Sequence, residues 1–96
     1  MDDTSEWLER VTGDPLAGAV RGEVEVLTAS EPARRGRYQE CRLEVRVTAP
    51  DREPVTVPID AVFPRTRWPR PGMVLPARVS RADPPAVEVD WERMPV

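Results

Sequence analysis

The side chains able to do chemistry in this chain are few. There is one cysteine, Cys41, and there are three serines, Ser5, Ser30 and Ser80. Histidine and lysine are absent, so all fourteen positive charges are arginines. A cysteine nucleophile needs a base or a cationic setting to hold its thiolate. Cys41 has no histidine to serve it and falls on the apolar row of an alternating segment, where a small core residue is expected. None of the serines sits in a G-x-S-x-G elbow, and the five glycines are too dispersed to cradle a phosphate. Glu23 with Glu25, and Glu88 with Asp90, are spaced two apart. That spacing puts each pair in a solvated row on one strand face, not on opposite walls of a cleft. One cysteine without histidine cannot complete a zinc site, and no Asp-x-Asp-x-Asp-Gly calcium loop occurs. These residues predict no catalytic group, no cofactor and no metal, hence a protein that is not an enzyme.

Binding chemistry falls to the arginines. From Ala61 to Ala82 there are five, Arg65, Arg67, Arg70, Arg78 and Arg81, with no acid, and Trp68 stands among them. Arginines interleaved with an aromatic can hold a nucleic-acid strand by phosphate contact and base stacking. Arg34, Arg35 and Arg37, next to Tyr38, extend that surface if the first and third loops meet at one end. The candidate binding residues are therefore Arg65, Arg67, Trp68 and Arg70 with Arg35 and Arg37. The function they would carry is single-stranded nucleic-acid binding through the 64–72 loop. Two features weigh against it. The chain has only five aromatics, of which Trp7, Phe63 and Trp91 read as core, and both ends are acidic. Arginine without lysine or asparagine is also what GC-rich codons supply, which weakens any case that arginine was selected for bidentate recognition.

The charge is unevenly distributed. The whole chain carries −3, but residues 1–20 hold five acids against Arg10. The middle is mildly basic, and residues 86–96 are acidic again. A lone cysteine cannot close an intramolecular disulfide. The longest uncharged run, Pro71 to Ala77, is seven residues, far short of a membrane span. The start, Met1-Asp2-Asp3, lacks the basic and apolar regions of a signal peptide. The expectation is a cytoplasmic protein without membrane insertion.

Hydrophobic periodicity then supplies the frame. Asp3 to Val11 predicts a short helix, with Asp3 or Thr4 as cap, Glu6 in capping-box spacing, and Trp7, Leu8 and Val11 on one apolar face. Two turns are too short to stand alone, so this docking helix must cap its own barrel or seat in a partner. From Val20 the period becomes two. Val20, Gly22, Val24 and Val26 form a first half-buried strand, and Gly22 predicts a bulge or sharp bend. Thr28 to Gly36 reads as a polar loop. Gln39, Cys41, Leu43, Val45 and Val47 give a second strand. A third runs from Pro54 to Phe63, where Pro58 requires an edge or a bulge. The Pro-rich 64–72 segment is a loop. Met73, Leu75, Ala77 and Val79 form a fourth strand, and Val87, Val89 and Trp91 a fifth. Five short strands with regular turns predict an all-β, small five-stranded OB-like barrel with a short N-terminal helix. Its organisation is residues 1–18 helix and linker, 19–93 barrel, and 94–96 tail.

The C-terminal third carries Pro71-Gly72, Leu75-Pro76, Asp83-Pro84 and Asp90-Trp91 in order. With the Gly22–Leu27 and Gln39–Pro50 segments, this pattern resembles small actinobacterial β-barrel domains of unknown function, over about Val20 to Trp91. The Arg-rich 64–72 loop departs from it. The resemblance implies a fold and no activity. The function expected on sequence is a non-enzymatic module for protein–protein interaction or assembly, with an unidentified partner or self-association, and nucleic acid is the disfavoured alternative.

Overall fold

A computed structural model of the chain describes residues 16–95. Five strands follow in order: β1 (Val20–Ala29), β2 (Tyr38–Thr48), β3 (Val55–Pro64), β4 (Val74–Val79) and β5 (Val87–Val89). A single 3-10 turn, Trp91–Arg93, comes after them. All neighbours pair antiparallel, in the order β3-β2-β1-β4-β5. The sheet curls into a half-barrel, leaving β3 and β5 as its edges. The expected helix at Asp3 to Val11, with Trp7, Leu8 and Val11, lies outside the described residues.

Strand β2 sets the inside. Cys41, Leu43, Val45 and Val47 are all 0% exposed, while Arg42, Glu44 and Arg46 between them face solvent. Val24 and Val26 from β1, Val57 and Phe63 from β3, Leu75, Ala77 and Val79 from β4, and Val89 from β5 complete the core. Met94, assigned on sequence to the tail, is buried with them at 3% exposure. On the outer face the mixed-sign rows pair across strands as Arg42–Asp60, Arg46–Glu25 and Arg78–Glu88, at 3.3–3.4 Å. These pairs are solvent-exposed, so each adds only about 0.2–1 kcal/mol.

Two features of β1 produce the curl. The sequence points to Gly22 for a bulge or a sharp bend; the ladder stays regular there and the bulge comes further on. Val26 opposes Val45 and Thr28 opposes Glu44, which makes Leu27 the extra residue. The bulge moves the inward row of β1 from even to odd numbers. Ala29 then packs against the core opposite Leu43, and the strand continues through what reads in sequence as loop. Gly22 serves close approach instead. A Cβ there would collide with the Thr48 carbonyl oxygen and lie 3.0 Å from Val79 Cγ2, so only glycine lets β1 bend this tightly against β2.

Pro58 lies in β3, an edge strand, as its missing donor requires. Arg65 N–H donates to Arg37 O at 2.8 Å, one step beyond the Tyr38–Pro64 pair. By antiparallel alternation, odd-numbered residues of β3 therefore bond toward β2 and even-numbered ones face the free edge. Pro58 and Pro64 are even-numbered. They cost the sheet no hydrogen bond and remove two donors from its open side.

Candidate functional site

The sequence left open whether the first and third loops meet, and they do. The β1–β2 loop and the β3–β4 connection share one end of the half-barrel, joined by the Arg65–Arg37 backbone bond. The indole of Trp68 also donates through Nε1 to Ser30 O at 2.8 Å. The chain after β5 comes to the same end, because Arg67 Nη2 donates to Glu92 O at 2.9 Å and to Met94 O at 2.7 Å.

Each loop is braced from within. The Gln39 side chain works as a local template: its Oε1 accepts from Ala33 N at 2.6 Å, and its Nε2 donates to the carbonyls of Ala33, Arg35 and Gly36. The alternation predicts Gln39 as an inward-facing strand residue, but it is half-buried and folds over its own loop. No local pattern marks that role. The β3–β4 connection opens with a turn closed by Arg67 N–H to Pro64 O at 2.9 Å and ends with one closed by Met73 N–H to Arg70 O at 3.2 Å. In the second, Pro71-Gly72 occupies the centre with Gly72 at φ +93°, the left-handed conformation a Pro-Gly turn demands. Between these turns Pro69 is fully buried. Phe63 meets Trp68 edge-on at 6.0 Å and Trp91 at 4.8 Å. This aromatic plug closes the end of the barrel and holds the arginine loop on top of it.

The candidate residues therefore divide. Arg67 and Trp68 are half-buried and committed to the fold. Arg67 clamps the C-terminal segment through two carbonyls, with its Nε buried and unpartnered, and Trp68 is packed on Phe63 and anchored to Ser30. Both spend polar atoms on the fold, the Trp68 Nε1 on Ser30 O and the Arg67 Nη2 on Glu92 O and Met94 O. Arg65, Arg70, Arg35 and Arg37, joined by Arg34, are exposed. None of these five has an ion-pair or side-chain hydrogen-bond partner among the described residues. Tyr38 stands beside them, 66% exposed. The two loops together hold six arginines and one acid, Glu31. That concentration of one sign contrasts with the outer sheet face, where arginines and acids neutralise each other.

The groups weighed for catalysis lie elsewhere. Cys41 is fully buried, with Ser30 Oγ 3.7 Å from its sulfur. Ser80, 3% exposed, accepts from Ala82 N and Ala86 N at 3.3 and 2.7 Å and so shapes the β4–β5 loop. Near it, at the end opposite the arginines, is a cavity of about 330 Å³ lined by Val20, Asp51, Arg52, Arg81 and Asp83 among others. Its arginines are spent on backbone: Arg52 on the carbonyls of Ser80 and Ala82, Arg81 on that of Gly18. No group of three or more metal-ligating side chains occurs among the described residues, and no helix among them is long and apolar enough to cross a membrane. No family of known proteins, no curated protein and no solved structure matches the chain.

Proposed function

We propose that this chain is a non-enzymatic β-barrel binding module, OB-like in outline, whose arginine-bearing end docks an acidic protein surface. One observation carries this reading. Two braced loops gather Arg34, Arg35, Arg37, Arg65 and Arg70 at one end, and none of the five is ion-paired with a described carboxylate. Loops held in advance by Gln39, Trp68 and the two turns lose little entropy on binding. Placement of β1 between β2 and β4 in a partly open five-stranded sheet supports the OB-like description. Burial of Cys41 and Ser80 within the fold supports a role without catalysis. The free edge of β3 supports interaction less well, because Pro58 breaks the row of donors an added strand would need.

Single-stranded nucleic acid draws less support. The stacking residue and the central arginine of that reading, Trp68 and Arg67, are held by internal hydrogen bonds, which leaves Tyr38 as the exposed aromatic of this end. Fluorescence anisotropy with labelled oligoglutamate and labelled oligothymidylate at low salt separates the two. Binding of oligoglutamate, abolished in an Arg35→Glu/Arg65→Glu/Arg70→Glu variant, is the expected result. Binding of oligothymidylate alone would transfer the surface to nucleic acid, and binding of neither would overturn the proposal.

A further inference from the structure

Apolar surface borders the arginine end. Tyr38, at 66% exposure, and Val62, at 62%, are large side chains left in solvent. The ladder brings them together. Tyr38 opposes Pro64 and Glu40 opposes Val62, so Tyr38 and Val62 are diagonal neighbours on the outer face. Half-buried Pro64 completes the patch. One rung further, Arg37 and Arg65 oppose each other, joined by their backbone bond of 2.8 Å. Resting on the reading above, we infer that this corner binds an acidic protein segment with a large apolar side chain within about three residues of its acids. The acids meet the arginines, and the apolar side chain lies on Tyr38 and Val62.

Charge decides what kind of segment fits. Elsewhere on the outer face the register sets arginine against acid. Arg42 opposes Asp60, Arg46 opposes Glu25 and Arg78 opposes Glu88, each as an ion pair. Like charges directly opposite each other destabilise a sheet. Arg21 also opposes Arg78, but Glu88 pairs with Arg78 from the other side. Arg37 and Arg65 have no such relief among the described residues, and Arg34, Arg35 and Arg70 add to the same field. An acidic ligand offsets that repulsion. Glu40 limits how far its acids can extend. This residue is exposed beside Val62 and has no ion-pair partner among the described residues. A segment acidic throughout would set a carboxylate against Glu40, whereas one whose acids give way to an apolar side chain at Tyr38 would not. The rungs of Val62 and Arg65 are about 10 Å apart along the strand, which sets the spacing of apolar side chain and acid in an extended segment. The Glu40 carboxylate equally disfavours the phosphates of a nucleic-acid strand crossing Tyr38.

The test measures fluorescence anisotropy of the full chain with three labelled peptides of equal charge. Two are hexaglutamates extended by three phenylalanines, one at the N-terminus and one at the C-terminus, because either chain direction could place the apolar side chain. The control is hexaglutamate extended by three glycines at each end. At low salt one of the phenylalanine peptides should bind at least about fivefold tighter than the control. Added salt should weaken every peptide while that ratio persists, since screening acts on the charges alone. A Tyr38→Thr/Val62→Thr variant, shown to be folded by its circular dichroism, should bring the ratio close to one. Phenylalanine peptides no tighter than the control, or a ratio unchanged in the variant, would overturn the inference. Oligothymidylate binding that falls in the variant, with the phenylalanine peptides no tighter than their control, would assign Tyr38 to base stacking and overturn it too. If the glycine control still binds and Arg35→Glu/Arg65→Glu/Arg70→Glu abolishes that binding, the proposed function stands and only the apolar contact is lost. If no peptide binds, both fall together.

Discussion

Replacing Arg67 with alanine should unfold the protein more easily, although Arg67 lies in the loop that sequence marks for binding. Its Nη2 donates to two carbonyl oxygens, Glu92 O at 2.9 Å and Met94 O at 2.7 Å. A hydrogen bond to a charged group contributes about 1.5–3 kcal/mol, and the half-buried setting puts each near the lower end. The buried Nε without a partner offsets about 1–3 kcal/mol of that. That leaves about 0–2 kcal/mol, and exposing even part of Met94, whose full burial is worth about 1.5–3 kcal/mol, brings the expected cost to at least about 1 kcal/mol. In a domain of this size that corresponds to a fall in Tm of about 4 °C or more. Arg65→Ala, two residues away and solvent-exposed, should cost within about 0.5 kcal/mol. Urea unfolding followed by tryptophan fluorescence measures both on one scale, since Trp68 and Trp91 flank Phe63 in the plug. If Arg67→Ala were no less stable than Arg65→Ala, the clamp would not exist. Arg67 would then be free to belong to the binding surface.

Trp68→Phe keeps an aromatic against Phe63 but deletes the bond to Ser30 O, so it should cost about 1 kcal/mol. Circular-dichroism melting reads this, and an unchanged Tm would mean the indole is not anchored. Gly22→Ala places a methyl group against the Thr48 carbonyl and should destabilise by about 1–3 kcal/mol; a neutral effect in urea titration would refute the close approach of β1 to β2. Leu43→Ala should cost about 2–4 kcal/mol, and Arg42→Ala, whose ion pair with Asp60 is solvent-exposed, less than about 1 kcal/mol. Similar losses from the two in parallel denaturation curves would mean that the facing of β2 is wrong.

What the sequence discloses is local, and what it conceals is carried by distant contacts. The row from Cys41 to Val47 is legible because a strand with one buried face must alternate, and each residue states its own side. Pro58 is legible for a similar reason, since a proline within a strand pattern admits few positions in a sheet. The bulge is not. Leu27 is apolar in an apolar stretch, and only the pairing with β2 reveals it as the extra residue, after which Ala29 takes the inward place that parity assigns to Thr28. Arg67 and Trp68 mislead for another reason. Their partners, Glu92, Met94 and Ser30, are twenty-five, twenty-seven and thirty-eight residues away, and a guanidinium held by carbonyls reads in sequence like any other arginine. Gln39 keeps the strand alternation while its amide organises the loop before it. The meeting of the two arginine loops depends on the strand order, which no single segment encodes.

If the end bearing Arg34, Arg35, Arg37, Arg65 and Arg70 is the contact surface of this module, an acidic ligand must perturb that end first. The most direct measurement is an NMR titration of the 15N-labelled chain with oligoglutamate. Amide shifts should be confined to the β1–β2 loop, Tyr38 and the β3–β4 connection, and high salt should reverse them. Shifts centred instead on Thr56 to Val62 at the β3 edge, or around the Asp51 and Asp83 cavity at the opposite end, would contradict it.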